Sequence, residues 1–98
     1  MNITKMLVGS HLSLALEGRL DTTTAPQLEA ALSELLEGIT ELELDFARLA
    51  YVSSTGLRVL LGAQKTMNRQ GTMVLRHVCP DIMEVFAITG FADILTIV

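Results

Sequence analysis

The chain has 98 residues, half of them hydrophobic, with 4% aromatic residues, no Trp and a formal net charge of -4. That length fits one domain over residues 1–98, with a radius of gyration near ~13 Å and an aliphatic core large enough to need no covalent staples. The seven Lys plus Arg are scattered, with no basic run and no basic–aromatic interleaving, which argues against nucleic acid as a direct partner.

Ile3 to Leu7 alternates weakly and predicts a short strand, with Lys5 in its middle as an edge strand would carry. Val8-Gly9-Ser10 predicts a turn. His11 to Glu17 alternates cleanly, with Leu12, Leu14 and Leu16 on one face, so the first two strands form an antiparallel hairpin. After Gly18-Arg19-Leu20-Asp21, a helix start is expected at Thr24-Ala25-Pro26-Gln27, with Thr24 as cap, Gln27 at the capping-box position and Pro26 in the first turn. Leu28, Ala31, Leu32, Leu35 and Leu36 continue it at helical spacing to a stop at Gly38. Glu41 to Phe46 alternates again. Leu42, Leu44 and Phe46 point inward, and Glu41, Glu43 and Asp45 make part of one sheet face wet.

A hydroxyl run, Ser53-Ser54-Thr55, separates this strand from a second helical stripe of Leu57, Leu60, Leu61 and Met67 that ends at Gly71. Thr72 to Val78 predicts a fourth strand. Pro80 opens a third helix carrying Ile82, Val85 and Phe86 inward to Gly90, and the β-branched Ile94 to Val98 predicts a final strand. The order is ββαβαβαβ. Such alternation implies an α/β fold with right-handed crossovers, in which an opening antiparallel hairpin leads into largely parallel strands beside about three main helices.

Three explanations compete for the hydroxyl run. One Ser or Thr caps the following helix, worth about 1 kcal/mol, but a cap needs a single hydroxyl and leaves two over. A nucleophile elbow needs Gly two residues before the Ser, where Val52 stands, and neither His11 nor His77 lies in a motif that directs it here. A P-loop would need glycines and a Lys after the strand, and no His, Cys or acidic pair has metal-ligand spacing. The chain is therefore expected to be a non-enzyme without metal or cofactor. The third explanation is an added charge: the helix dipole and its free N–H groups beside Ser54 would tolerate a phosphoryl group without melting the helix.

The single Cys79 excludes an internal disulfide and suits a reducing compartment. MNITKMLVGS lacks a basic segment followed by an apolar run, and no apolar stretch reaches ~18 residues, so neither a signal peptide nor a membrane span is expected. The expected location is the cytoplasm. Met67, Met73 and Met83 are expected as core fillers and Cys79 as a small buried residue before a helix.

Across essentially its whole length the chain resembles the STAS domain family, and within it the single-domain bacterial anti-sigma factor antagonists. The resemblance rests on Gly18-Arg19-Leu20-Asp21 followed by Thr24-Ala25, on Leu44-Asp45-Phe46 with Val52-Ser53-Ser54-Thr55-Gly56-Leu57, and on Ile88-Thr89-Gly90-Phe91. It implies partner switching: the unphosphorylated antagonist binds an anti-sigma factor that is also a serine kinase, phosphorylation prevents binding, and a phosphatase restores it. Ser54 matches the phosphoacceptor. Asp21 matches the acidic residue near that loop, and Asp21, Ser53, Ser54, Thr55 and Gly56 are the expected partner-binding residues, with Gly56 allowing close approach to the helix start. The family commonly has Asp where this chain has Ser53, which makes Ser53 a second candidate acceptor. For Asp21 a purely local role, bonding the Thr22 to Thr24 amides, stands beside the partner contact. The alternative function is a constitutive cytoplasmic STAS subunit of a membrane transport ATPase complex.

Overall fold

The computed structural model describes residues 1–98. Strands β1 (Asn2–Val8) and β2 (His11–Leu20) form the expected antiparallel hairpin, closed by the two-residue turn Gly9-Ser10. Gly9 takes φ +61°, the left-handed conformation that such tight turns require and glycine adopts without strain. Helix α1 (Ala25–Leu35), strand β3 (Glu41–Val52), helix α2 (Ser54–Gln70), strand β4 (Thr72–Arg76) and helix α3 (Pro80–Thr89) follow. The sheet order is β1-β2-β3-β4, and β3 runs parallel to both β2 and β4. The radius of gyration is 12.2 Å.

Alternation decides the layering. Leu12, Leu14 and Leu16 of β2, Leu42, Leu44 and Phe46 of β3, and Met73 and Leu75 of β4 are buried with Leu28 and Leu32 of α1, Leu57, Leu60 and Met67 of α2, and Ile82 and Phe86 of α3. These side chains belong to one contiguous core of 24 residues, so the helices cover one face of the sheet. The other face is open, polar along β2 to β4 and bordered on β1 by the exposed Met6 and Val8. His11 bonds Glu41 at 2.9 Å, Ser13 donates to Glu43 at 3.2 Å, Arg76 pairs with Glu43, and Arg48 reaches Glu17 at 3.4 Å. Met67 and Met73 fill the core as expected and Met83 packs against it, whereas Cys79 is only half-buried, at its margin. No helix is long and apolar enough to cross a membrane.

Three expectations are corrected. The strand expected to end at Phe46 runs on to Val52. Pairing with β2 advances from Ala15↔Asp45 to Glu17↔Arg48 and from Gly18↔Leu49 to Arg19↔Tyr51, so β3 carries one extra residue at each of two bulges. Each bulge flips the alternation, moving the buried positions from Phe46 to Leu49 and then to Val52. The Asp45 carboxylate accepts the Ala47 N–H at 2.9 Å beside the first bulge.

The fourth strand ends at Arg76, because His77 takes φ +58° and its ring turns back to bond Asp45 at 2.9 Å. The fifth strand over Ile94 to Val98 does not form. A 3-10 turn at Phe91–Asp93 and its continuation to Leu95 consume the chain, leaving one parallel bridge between Leu75 and Ile97. Two hydrogen bonds hold it, Leu75 N–H to Thr96 O at 2.9 Å and Val98 N–H to Leu75 O at 3.0 Å.

Candidate functional site

Because β2 and β3 are parallel, their C-terminal ends lie side by side, and the loops that follow meet at one rim of the sheet. The Ser53 N–H donates to the Leu20 carbonyl at 2.8 Å, and the Thr22 and Thr55 hydroxyls stand 3.5 Å apart. The structure thus brings the Asp21 loop and the hydroxyl run together.

Ser53 is the cap of α2. Its backbone is extended (φ -89°, ψ 173°), and its Oγ accepts the Gly56 N–H at 3.2 Å. Ser and Asp are near-equivalent caps. Ser53 therefore starts the helix as an Asp would, without placing a negative charge beside Ser54. Ser54 is the first residue of α2 and is exposed. At this rim the Thr22, Thr23, Thr24, Ser53 and Thr55 hydroxyls all have hydrogen-bond partners, whereas the Ser54 hydroxyl has none. The first-turn N–H groups have no intrahelical carbonyl to bond, so Ser54 stands at the positive end of the α2 dipole.

Gly56 has a different reason for being glycine than the sequence suggested. It is buried, and a Cβ there would stand 2.7 Å from Leu20 Cγ and 3.0 Å from Leu20 O. The close approach is made by the chain's own β2, so Gly56 offers no surface to an incoming partner. It lets α2 start directly on Leu20, which is fully buried.

Asp21 makes the local bonds expected of it. Its Oδ1 accepts the Thr23 N–H at 3.0 Å, the Thr23 hydroxyl at 2.8 Å and the Thr24 N–H at 3.1 Å. The Thr23 hydroxyl, with help from those two N–H groups and against partial desolvation, holds the carboxyl below the usual Asp range. The capping box expected at Thr24 and Gln27 is absent. Thr24 has helical backbone angles (φ -103°, ψ -21°), and its hydroxyl turns back to the Arg19 carbonyl at 2.7 Å and the Asp21 N–H at 2.8 Å. Gln27 donates instead to the Met1 carbonyl at 2.9 Å. Asp21 takes over the helix entry.

Two rim residues escaped the sequence reading. Arg19 and Tyr51 are register partners on the open face, with the guanidinium carbon 4.2 Å from the centre of the Tyr51 ring. Only the strand pairing reveals them, because Tyr51 lies beyond both bulges. His11 and His77 sit on the open face, each on a carboxylate, and neither is bonded to a rim hydroxyl.

A family model described as Mlab, STAS domain matches residues 3–97. The anti-sigma-B factor antagonist of Listeria monocytogenes is 37% identical over 90 residues, covering 89% of this chain and 78% of that protein. Among solved structures, the Bacillus cell fate determinant SpoIIAA in its phosphorylated form superposes with a TM-score of 0.76 at 22% identity, over 99% of this chain and 91% of that one. An anti-sigma factor antagonist from Mycobacterium paratuberculosis superposes with a TM-score of 0.87 at 18% identity, over 98% and 83% of the two chains. At those identities the structural likeness shows a shared fold.

Proposed function

The chain belongs to the STAS domain family, and from that membership and the rim geometry we propose that it is an anti-sigma factor antagonist controlled by phosphorylation of Ser54. In this reading the unmodified protein, a single cytoplasmic domain without catalytic activity, binds an anti-sigma factor that is also a serine kinase. Transfer of phosphate to Ser54 breaks the complex and a phosphatase restores it, so transcription is regulated without contact with DNA.

The observation that carries the reading is the contrast among the hydroxyls. Ser54 is exposed and unbonded at a helix start, while the neighbouring Ser and Thr hydroxyls of the rim are engaged. An anion there is favoured by the helix dipole, so the fold survives modification. The partner surface does not: a tenfold loss of affinity needs only about 1.4 kcal/mol, which one misplaced charge can supply.

The test is incubation with the ATP-binding anti-sigma proteins of the same genome and ATP, followed by phosphopeptide mass spectrometry. One phosphate on Ser54 is expected. Phosphate only on Ser53, only on Thr22 to Thr24, or nowhere, overturns the reading. A second reading, a constitutive STAS subunit of a membrane transport ATPase complex, is favoured by the uncharged Ser53 in place of the family's common Asp. Co-purification with a transport ATPase, rather than with an anti-sigma protein, supports it.

A further inference from the structure

We infer that Arg19 and Tyr51 form a preassembled anchor that grips a carboxylate of the protein partner; this rests on the partner-binding function proposed above. The Arg19 guanidinium carbon lies over the Tyr51 ring, 4.2 Å from its centre, a cation–π contact that restrains an otherwise flexible side chain. Its edge is unspent. The Asp21 carboxylate is 3.8 Å from Arg19 Nε, too far for a hydrogen bond, and the guanidinium makes no other contact with a side-chain or backbone acceptor. Asp21 directs its Oδ1 at Thr23 and Thr24, and its Oδ2 faces only the Nε side of Arg19, which leaves the two terminal nitrogens without an acceptor. Both side chains reach solvent, Arg19 at 60% exposure and Tyr51 at 40%.

A guanidinium seated over an aromatic ring with its terminal nitrogens free suits bidentate capture of a planar carboxylate. Tyr and Arg are also the residue types that concentrate binding energy at protein interfaces, and prior ordering reduces the entropy lost on binding. Tyr51 lies three residues before Ser54, so their Cα atoms are at most about 11 Å apart. A partner seated on Ser54 is therefore within reach of the anchor.

The test is titration calorimetry of the full chain against the anti-sigma protein that the parent binds, with thermal melts of every variant. Arg19→Gln is expected to weaken binding about tenfold or more. Arg19→Lys should recover only part of the loss, since an ammonium keeps the charge without the fork. Tyr51→Phe should bind as the parent does and Tyr51→Ser should not, with melting temperatures close to the parent's because both positions are exposed. Parent-like affinity in both Arg19 variants overturns the anchor while leaving the functional reading standing. A parent that binds no anti-sigma protein of its genome overturns the reading and the anchor together.

Discussion

Gly56→Ala should destabilise the protein, while Gly62→Ala, six residues further along the same helix, should stabilise it. At position 56 the new Cβ would meet Leu20 Cγ at 2.7 Å and Leu20 O at 3.0 Å. Neither atom yields cheaply. Cγ belongs to a side chain with no solvent exposure, and the carbonyl accepts the Ser53 N–H at 2.8 Å. Overpacking of this kind costs about 1–3 kcal/mol, offset by up to ~1 kcal/mol of helix propensity gained over glycine. The net loss, up to about 2 kcal/mol, corresponds to a drop of as much as roughly 8–16 °C in melting temperature for a domain of this size. At position 62 nothing lies within 4 Å of the added carbon, so only the propensity gain remains, about 0.5–1 kcal/mol. Urea titrations of both variants against the parent measure the difference. Midpoint shifts of the same sign would refute the argument, because they would mean that Leu20 gives way and does not pin the start of α2. The contrast matters for function, since displacing Leu20 also displaces the Ser53 N–H that sets Ser54 at the rim.

Ser54→Asp should fold within about 0.5 kcal/mol of the parent, because an exposed carboxylate at the start of α2 complements the dipole; a much larger drop in denaturant midpoint would place Ser54 inside the packing. In calorimetric titrations, Ser54→Ala should bind the anti-sigma partner constitutively and Ser54→Asp more weakly, and equal affinities would remove Ser54 from the interface. Ser53→Ala should cost about 1 kcal/mol through loss of the bond to the Gly56 N–H, while Ser53→Asp should retain the cap; equal denaturant midpoints for Ser53→Ala and parent would contradict the cap. The carboxyls of Asp21, Glu17 and Asp45 are all held below their ordinary values, so the native state binds fewer protons than the unfolded chain. Stability should hold above the ordinary values of 3.8 for Asp and 4.5 for Glu, then fall as acidification passes through them toward the lowered native values, with Asp21→Asn flattening part of that fall. A urea midpoint that rises on acidification contradicts this sign.

The hairpin, three helices and their order were legible in the sequence because each rests on a local pattern. Leu12-Leu14-Leu16 has period two, Leu28-Leu32-Leu35 has helical period, and Gly9 marks the turn. Ser54 was legible as a position for the same reason, lying where a strand pattern gives way to a helix pattern. Its being the unbonded hydroxyl at the rim was not legible. That depends on Ser53 taking the cap, on Thr22 meeting Thr55 across 33 residues, and on Asp21 collecting the Thr23 and Thr24 donors. The continuation of β3 to Val52 was hidden because two bulges reverse its alternation, and with it went the pairing of Tyr51 with Arg19. The fifth strand was expected from β-branched residues alone, but strand formation requires a length of neighbouring edge, and the turn at Phe91–Asp93 leaves Thr96 to Val98 for a single bridge. Gly56 shows the division most plainly: its sequence position marked it as special, but only the packing of α2 on β2 decided that Leu20 fills the space a Cβ would need. Short-range periodicity fixes which elements form, whereas hydrogen-bond partners and close approaches depend on residues that only folding brings together.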